Sequence, residues 1–375
     1  MPSLRVNPAA AALCALLLAS VQLQPARAAT PGDADYRTLN RALVANHVIV
    51  RQQALAERTA TLAQAAGAWC AQPGDDTRAT LDTAWRSATD AWQSIQHVRF
   101  GPIELYMRGM RMAFWPDPRD NVGRQLDQLM DGRDPTALTP ERFARQSIAV
   151  QGFPALERLL ANTAPDAPAP ASGGAERCAI IQAITANIAA IAHDTLADWQ
   201  QGEASFSAVV AAAGQPGAHY QDPREATLDF FKSLHTAVEL VADHKLARPL
   251  GDQIANARPQ LAESWRSGRS LDHIRTNLAA AEALYLGEGG PGFGWLAGEV
   301  GGDTALDALL RKAFAQTRAS ADAIRLPLEQ AVADPAERPR VEKLAREATA
   351  LKALLTQRLT VATGIPVGFN ALDGD

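Results

Sequence analysis

The sequence predicts an all-α protein made of two packed antiparallel helical bundles, and three observations carry that prediction. Apolar residues recur at three- and four-residue spacing through most of the chain. The period-two alternation that marks strands is nearly absent. The long periodic stretches are joined by short breaks rich in Gly, Pro and Asp, the pattern of antiparallel neighbours in a bundle. A length of 375 residues suggests two domains, or one large one, with ample material for a core. The net charge is −5, with acidic and basic residues interspersed. No Lys/Arg run interleaves with aromatics, so nucleic acid is not an expected partner.

Taken in order, the first element is not part of the fold. Arg5, the apolar run AAAALCALLLASV (Ala9 to Val21) and the Ala26-Arg27-Ala28 ending have the layout of a secretory signal peptide, residues 1–28. The run falls short of the roughly 20 residues that span a bilayer. Leu13 directly precedes Cys14 instead of standing three positions before it, so lipid attachment is not expected. No later stretch reads as membrane-spanning.

Export leaves Cys70 and Cys178, an even number in an oxidising compartment. A disulfide is the preferred reading, closing a loop of about a hundred residues. The alternatives are two separate thiols in helical cores, or a soft-metal site that lacks further ligands.

The first bundle is expected over 29–210. Helical periodicity runs from Tyr36 to Trp69 and again from Asp75, with Asp75, Asp76 and Thr77 as candidate caps and Gly101-Pro102 as the stop. Trp85, Trp92, Ile95 and Phe100 read as core. FWPDPRDN (Phe114 to Asn121) reads as a turn, followed by helices near 122–131, 140–149 and 154–161. The Pro/Ala/Gly-rich stretch from Asn162 to Ala175 reads as a loop before a long helix at about 176–200. The second bundle, 211–375, begins its helices near 223 and is interrupted by the glycine-rich stretch from Gly287 to Gly302. Breaks at FGP (100–102) and RPLG (248–251), each after a long helix, are a faint sign of a duplicated unit.

Chemistry-bearing motifs are sparse. There is no H-E-x-x-H, G-x-S-x-G, Walker loop or C-x-x-C. Among the seven histidines only His235 starts a helical ligand spacing, with Glu239 and Asp243 each four residues further on. A solvated helix edge fits these three as well, with Lys245 or an arginine as the balancing cation. The stretch QGFPALERLL (151–160) reads first as a helix start, with Gly152 turning the chain, Pro154 in the first turn and Glu157 near the positive end. In GFNALDGD, Asn370 and Asp373 are oxygen donors of the kind hard cations take.

Several segments together, WRSATDAWQSIQHVRFGP (85–102), RMAFWPD (111–117), QGFPALERLL, DHKLARPLG (243–251), AESWRSGRSL (262–271) and GFNALDGD, make the chain resemble the imelysin-like family of exported bacterial proteins. The resemblance implies two helical bundles with a site at their junction, a periplasmic location and a link to iron uptake; some members are classed as metallopeptidases. The family motif is G-x-H-x-x-E. Gly152 and Glu157 match it, but Pro154 stands where histidine would be, so the His/Glu pair cannot form there. The expectation is therefore a binding or accessory protein whose cleft is lined by Arg99, Arg111, Trp115, Gly152, Pro154, Glu157, Asn370 and Asp373. Its cargo would be iron or another divalent or trivalent metal, bare or as an anionic chelate held by the arginines. Envelope iron-uptake proteins would be its partners. The alternatives are a helical scaffold for an envelope protein, and a metallopeptidase using His235 and Glu239 with Glu157 or another ligand.

Overall fold

A computed structural model describes residues 30–132, 134–161 and 174–365. Residues 1–28, read above as a signal peptide, most of the Pro/Ala/Gly-rich loop, and Asn370 and Asp373 lie outside them. Every regular element among the described residues is helical, as the periodicity predicts.

The stretch beginning at Tyr36 forms α1 (Asp33–Leu43), a π-helical turn (Val44–Ile49) and α2 (Val50–Ala71) in unbroken succession. Next comes α3 (Asp75–Ile95), whose cap is Gly74; Asp75 and Asp76 instead lie in the first turn, against the positive helix end. Trp85, Ala88, Trp92 and Ile95 lie on one face by their spacing, and all are buried. Two shorter helices follow, α4 (Asn121–Gly132) and α5 (Phe153–Leu160), and then α6 (Ala175–Gln200). α2 packs against both α3 and α6.

The helix expected near 140–149 is not continuous. It is one turn (Pro140–Phe143) and a separate 3₁₀ turn (Ile148–Val150). Side chains compete with the helical ladder here: Ser147 Oγ accepts from Ala149 N, and Gln151 Nε2 donates to the Gln146 carbonyl. The expectation that no later stretch could span a membrane also needs correction. α6 is long and apolar enough by length and composition. Its apolarity has another use, since Ile180, Ile181, Ile184 and Ile188 are buried in the core against α2.

Cys70 ends α2, Cys178 begins α6, and the two are joined by a disulfide with Cα atoms 5.6 Å apart. Export chemistry and antiparallel packing thus agree.

The second set consists of α7 (Pro223–Glu239), α8 (Ser270–Leu286), α9 (Thr304–Asp322) and α10 (Arg338–Leu354), packed as neighbours around Val241, Leu246, Ile274, Leu278, Val341 and Leu344. Asp222 caps α7 through Glu225 N and Asp303 caps α9 through Leu306 N. α7 runs on through a π-helical turn, Leu240–Leu246, and ends at Gly251, whose φ of +61° suits glycine.

The two sets meet most extensively through two helix pairs. α1 packs on α7, where Asn40 donates to the Pro223 carbonyl and accepts from Thr227 Oγ1, both at 2.8 Å. α3 packs on α8, and beside that contact the cleft opens.

Candidate functional site

Gly152 precedes α5 with an extended backbone, and Pro154 occupies the first turn. The glycine is needed for close approach, not for a turn: a Cβ there would lie 2.3 Å from the Met112 carbonyl oxygen and 2.5 Å from that of Arg111. Gly152→Ala is expected to destabilise the protein by about 1–3 kcal/mol, the usual cost of overpacking against backbone that cannot yield. Urea unfolding measures it; an unchanged midpoint would mean that the backbone at Arg111 and Met112 yields freely.

From that start α5 carries Glu157 inward, where it is only 5% exposed. Its Oε1 accepts two hydrogen bonds from Ser267, at 3.0 Å from the backbone N and 2.6 Å from Oγ. Glu157 therefore ties the first set of helices to the 265–267 turn of the second. Burial raises its pKa to about 7, against the lowering effect of Ser267 and Arg266. A carboxyl whose folded pKa lies above its unfolded value stabilises the fold fully below pH 4.5 and loses that contribution as pH rises through 7. Glu157→Gln keeps an acceptor for Ser267 and removes the charge. The variant is expected to be close to wild type at pH 4.5 and more stable at pH 8 by about 1–3 kcal/mol. Thermal melts at both pH values test this; an equal shift at both would rule out the charge as its cause.

Glu157 and Pro154 face a cleft of about 370 Å³ between the two sets. The turn expected at 114–121 forms one wall through Trp115 and Asp117, with a cis Trp115–Pro116 bond. α3 contributes Trp85, Trp92 and Gln93, and the 260–266 segment and Arg248 close the opposite side.

Beside the cleft lies a buried polar network that the sequence reading missed. Lys245 Nζ donates to Glu263 Oε2 and to Gln93 Oε1, both at 2.6 Å. Gln93 Nε2 donates to Glu263 Oε1 at 3.2 Å, Asn277 Nδ2 donates to the Gln93 carbonyl at 2.7 Å, and His273 Nδ1 lies 3.4 Å from Glu263 Oε2. Lys245 and Glu263 are 1% and 6% exposed. Burial would raise the Glu263 pKa, but Lys245 and His273 outweigh it and hold the carboxyl below its ordinary value. Burial lowers the Lys245 pKa against the pull of Glu263. The π-helical turn at 240–246 carries Lys245, and such turns often sit at functional sites. The segments DHKLARPLG and AESWRSGRSL contain Lys245 and Glu263, yet nothing in their spacing shows that they meet.

Of the residues expected to line one cleft, Trp115, Pro154 and Glu157 do so. Gly152 is packed behind it against backbone. Arg99 opens into an adjoining smaller chamber that shares Trp92, Trp115 and Glu263 as walls. Arg111 turns away: its guanidinium donates to Gln151 Oε1 at 2.7 Å and Asn187 Oδ1 at 2.8 Å, fastening the 108–112 turn to α6.

His235, Glu239 and Asp243 line neither cavity. His235 Nδ1 lies 3.7 Å from Glu239, and Asp243 is paired with Lys352. Lys245, weighed as the cation for Asp243, is instead used by Glu263. Among the described residues no three His, Cys, Asp or Glu side chains converge as a metal-ligand set. The carboxylates of the cleft are each engaged by donors. Asp117 caps Val122 N at 2.8 Å, Asp120 pairs with Arg158 at 2.7 Å, Glu157 takes Ser267 and Glu263 takes Lys245. A resident bare divalent metal does not fit this donor set, which among the described residues offers no group of three free ligands.

Comparison with known proteins now bears on these segments. A family model described as Imelysin (Peptidase M75) matches residues 44–357. The chain belongs to the imelysin family. Two solved structures share the fold of this imelysin-family chain. An imelysin-like protein from Psychrobacter arcticum 273-4 is 22% identical, with TM-score 0.73 over 91% of this chain and 99% of that one. A structure described as an iron-regulated protein A precursor, from Parabacteroides distasonis ATCC 8503, is 14% identical, with TM-score 0.74 over 88% and 97%. No curated protein matches the sequence.

Proposed function

We propose that this imelysin-family protein is a periplasmic binding or accessory protein in iron acquisition, and that its cleft takes an oxygen-rich anionic metal chelate instead of a bare ion. The observation that carries this reading is an imbalance of donors over acceptors. While the cleft's carboxylates are engaged as described, Arg248 makes no hydrogen bond or salt bridge to the described residues, and the buried indole nitrogens of Trp85 and Trp92 have no acceptor among them. Unsatisfied buried donors call for an acceptor-bearing ligand. Arg248 lines the same cleft as these two tryptophans, and a guanidinium suits clustered carboxylate oxygens. Arg266, stacked 4.5 Å over Trp265, adds a second positive group at the wall.

The iron assignment draws on the family and on the iron-regulated name of the Parabacteroides relative. The periplasmic assignment draws on the signal-peptide layout of residues 1–28. Calorimetric titration of residues 29–375 with Fe(III)-citrate, citrate, Fe(II) and Zn(II) tests the reading. Saturable binding of Fe(III)-citrate that weakens about tenfold or more in Arg248→Gln supports it. Binding of Fe(II) or Zn(II) without citrate would overturn the chelate, and no binding of any would make the cleft architectural.

A further inference from the structure

The smaller chamber, about 250 Å³, differs in character from the cleft it adjoins. Trp92, Trp115, Met107, Met110 and Leu240 form its walls. Two indoles and two thioethers offer flat, polarisable contact, which favours an aromatic body over an aliphatic or heavily hydroxylated one. Its volume falls just below the ordinary range for drug-sized ligands and sets the guest at one or two rings.

One polar group in this chamber is left over. Arg99 makes no side-chain hydrogen bond or salt bridge to the described residues, although it lines the chamber. The carboxylates whose charge it feels have their own partners: Glu263 pairs with Lys245 at 2.6 Å, and Glu239 lies 3.7 Å from His235. Glu104, at the rim, accepts from Gly101 N at 2.9 Å. The chamber thus combines an apolar aromatic wall with a guanidinium free to bind two oxygens side by side.

The mouth is held under strain. Tyr106 and Met107 are both non-glycine residues in the left-handed region, at φ +53° and +57°. Adjacent residues of this kind cost energy that the surroundings must overcome, and they cluster at ligand clamps. Here the restraint is visible: buried Arg108 donates to the Pro102 carbonyl at 3.0 Å and to Asp198 at 2.6 Å, locking the hook. That hook sets Met107 into the chamber wall while Leu105, Tyr106, Met107 and Met110 remain 44–79% exposed. A rigid, partly exposed apolar rim is poised to cover a guest's ring without paying to order itself on binding.

We propose that this chamber is a second ligand site, which binds a small aromatic carboxylate with its ring against Trp92, Trp115 and the two methionines and its carboxylate on Arg99. The site does not depend on what occupies the larger cleft, so failure of the chelate titration leaves it standing.

The test uses 2-naphthoate as probe and neutral 2-naphthamide as its charge-free counterpart, read by calorimetry and tryptophan quenching on the mature chain. Naphthoate is expected to saturate, and naphthamide to bind at least about tenfold more weakly, from loss of the charge-assisted pair. Arg99→Gln is expected to weaken naphthoate to the naphthamide level, and Met107→Ala to weaken both probes equally. Arg58→Gln, on the exposed side of α2, serves as the charge-matched control. No saturation up to millimolar naphthoate, equal binding of the two probes, or full binding by Arg99→Gln would each overturn the proposal.

Discussion

Lys245→Met is expected to destabilise the protein by about 3–5 kcal/mol, the largest single-residue effect we foresee. The lysine itself is 1% exposed, and methionine fills a similar volume, so cavity formation is not the cause. The cost comes from Glu263, whose carboxylate would stay buried without its cation. Gln93 would meanwhile lose the ammonium that its Oε1 accepts from. The double variant Lys245→Met/Glu263→Gln removes both charges and is expected to recover most of the loss. Urea unfolding of the single and double variants closes the cycle. If the single variant were as stable as wild type, the pair would be neutralised or hydrated in the folded state. If the double variant were no better than the single one, the hydrogen bonds of Gln93 and Asn277, not the charge pair, would hold this junction together.

The disulfide comes next. Cys70 and Cys178 are 108 positions apart, and closing a loop of that size stabilises by about 3–5 kcal/mol in the chain-entropy account. Reduction of the wild type and the double variant Cys70→Ser/Cys178→Ser are expected to lower stability by the same amount. Reduction should have no effect on the variant. A wild-type melt indifferent to reductant would mean that the crosslink is absent in solution. The ends of α2 and α6 would feel the loss first, because the bond joins them directly.

The fold class was legible because helical burial leaves a periodic trace in every long stretch, independent of what packs on what. Trp85, Trp92 and Ile95 announced a buried face of α3 before any partner was known. The disulfide was legible for a similar reason: export and an even cysteine count constrain the pairing without coordinates. Local competition was harder to read, and the stretch 140–149 breaks because Ser147 and Gln151 satisfy backbone groups that a helix would otherwise use. The apolar content of α6 is ambiguous in sequence, since a buried core helix and a membrane span look alike in composition.

The site divides along the same line. That Pro154 cannot serve as a ligand follows from the side chain alone, whereas the interest of Glu157 comes from its match to the family motif. Family-like segments pointed to Trp115 and Arg99, yet they could not say that Trp115 lines both cavities and Arg99 only the smaller one. Arg111 looked equivalent to Arg99 in sequence, and only its distance to Gln151 and Asn187 separates them. The Lys245–Glu263–Gln93 network was invisible, because its members come from three segments with no shared period.

By itself, then, the sequence determined what depends on one residue or one helix: the all-α class, the buried faces, the cysteine pair and the lost histidine. Tertiary structure alone decided which charges meet. Coulomb attraction and hydrogen bonding act over a few ångströms of space without regard to chain separation. Lys245 therefore finds Glu263 instead of Asp243, Glu157 finds Ser267 across 110 positions, and Arg99 faces an aromatic chamber with its guanidinium unpaired among the described residues.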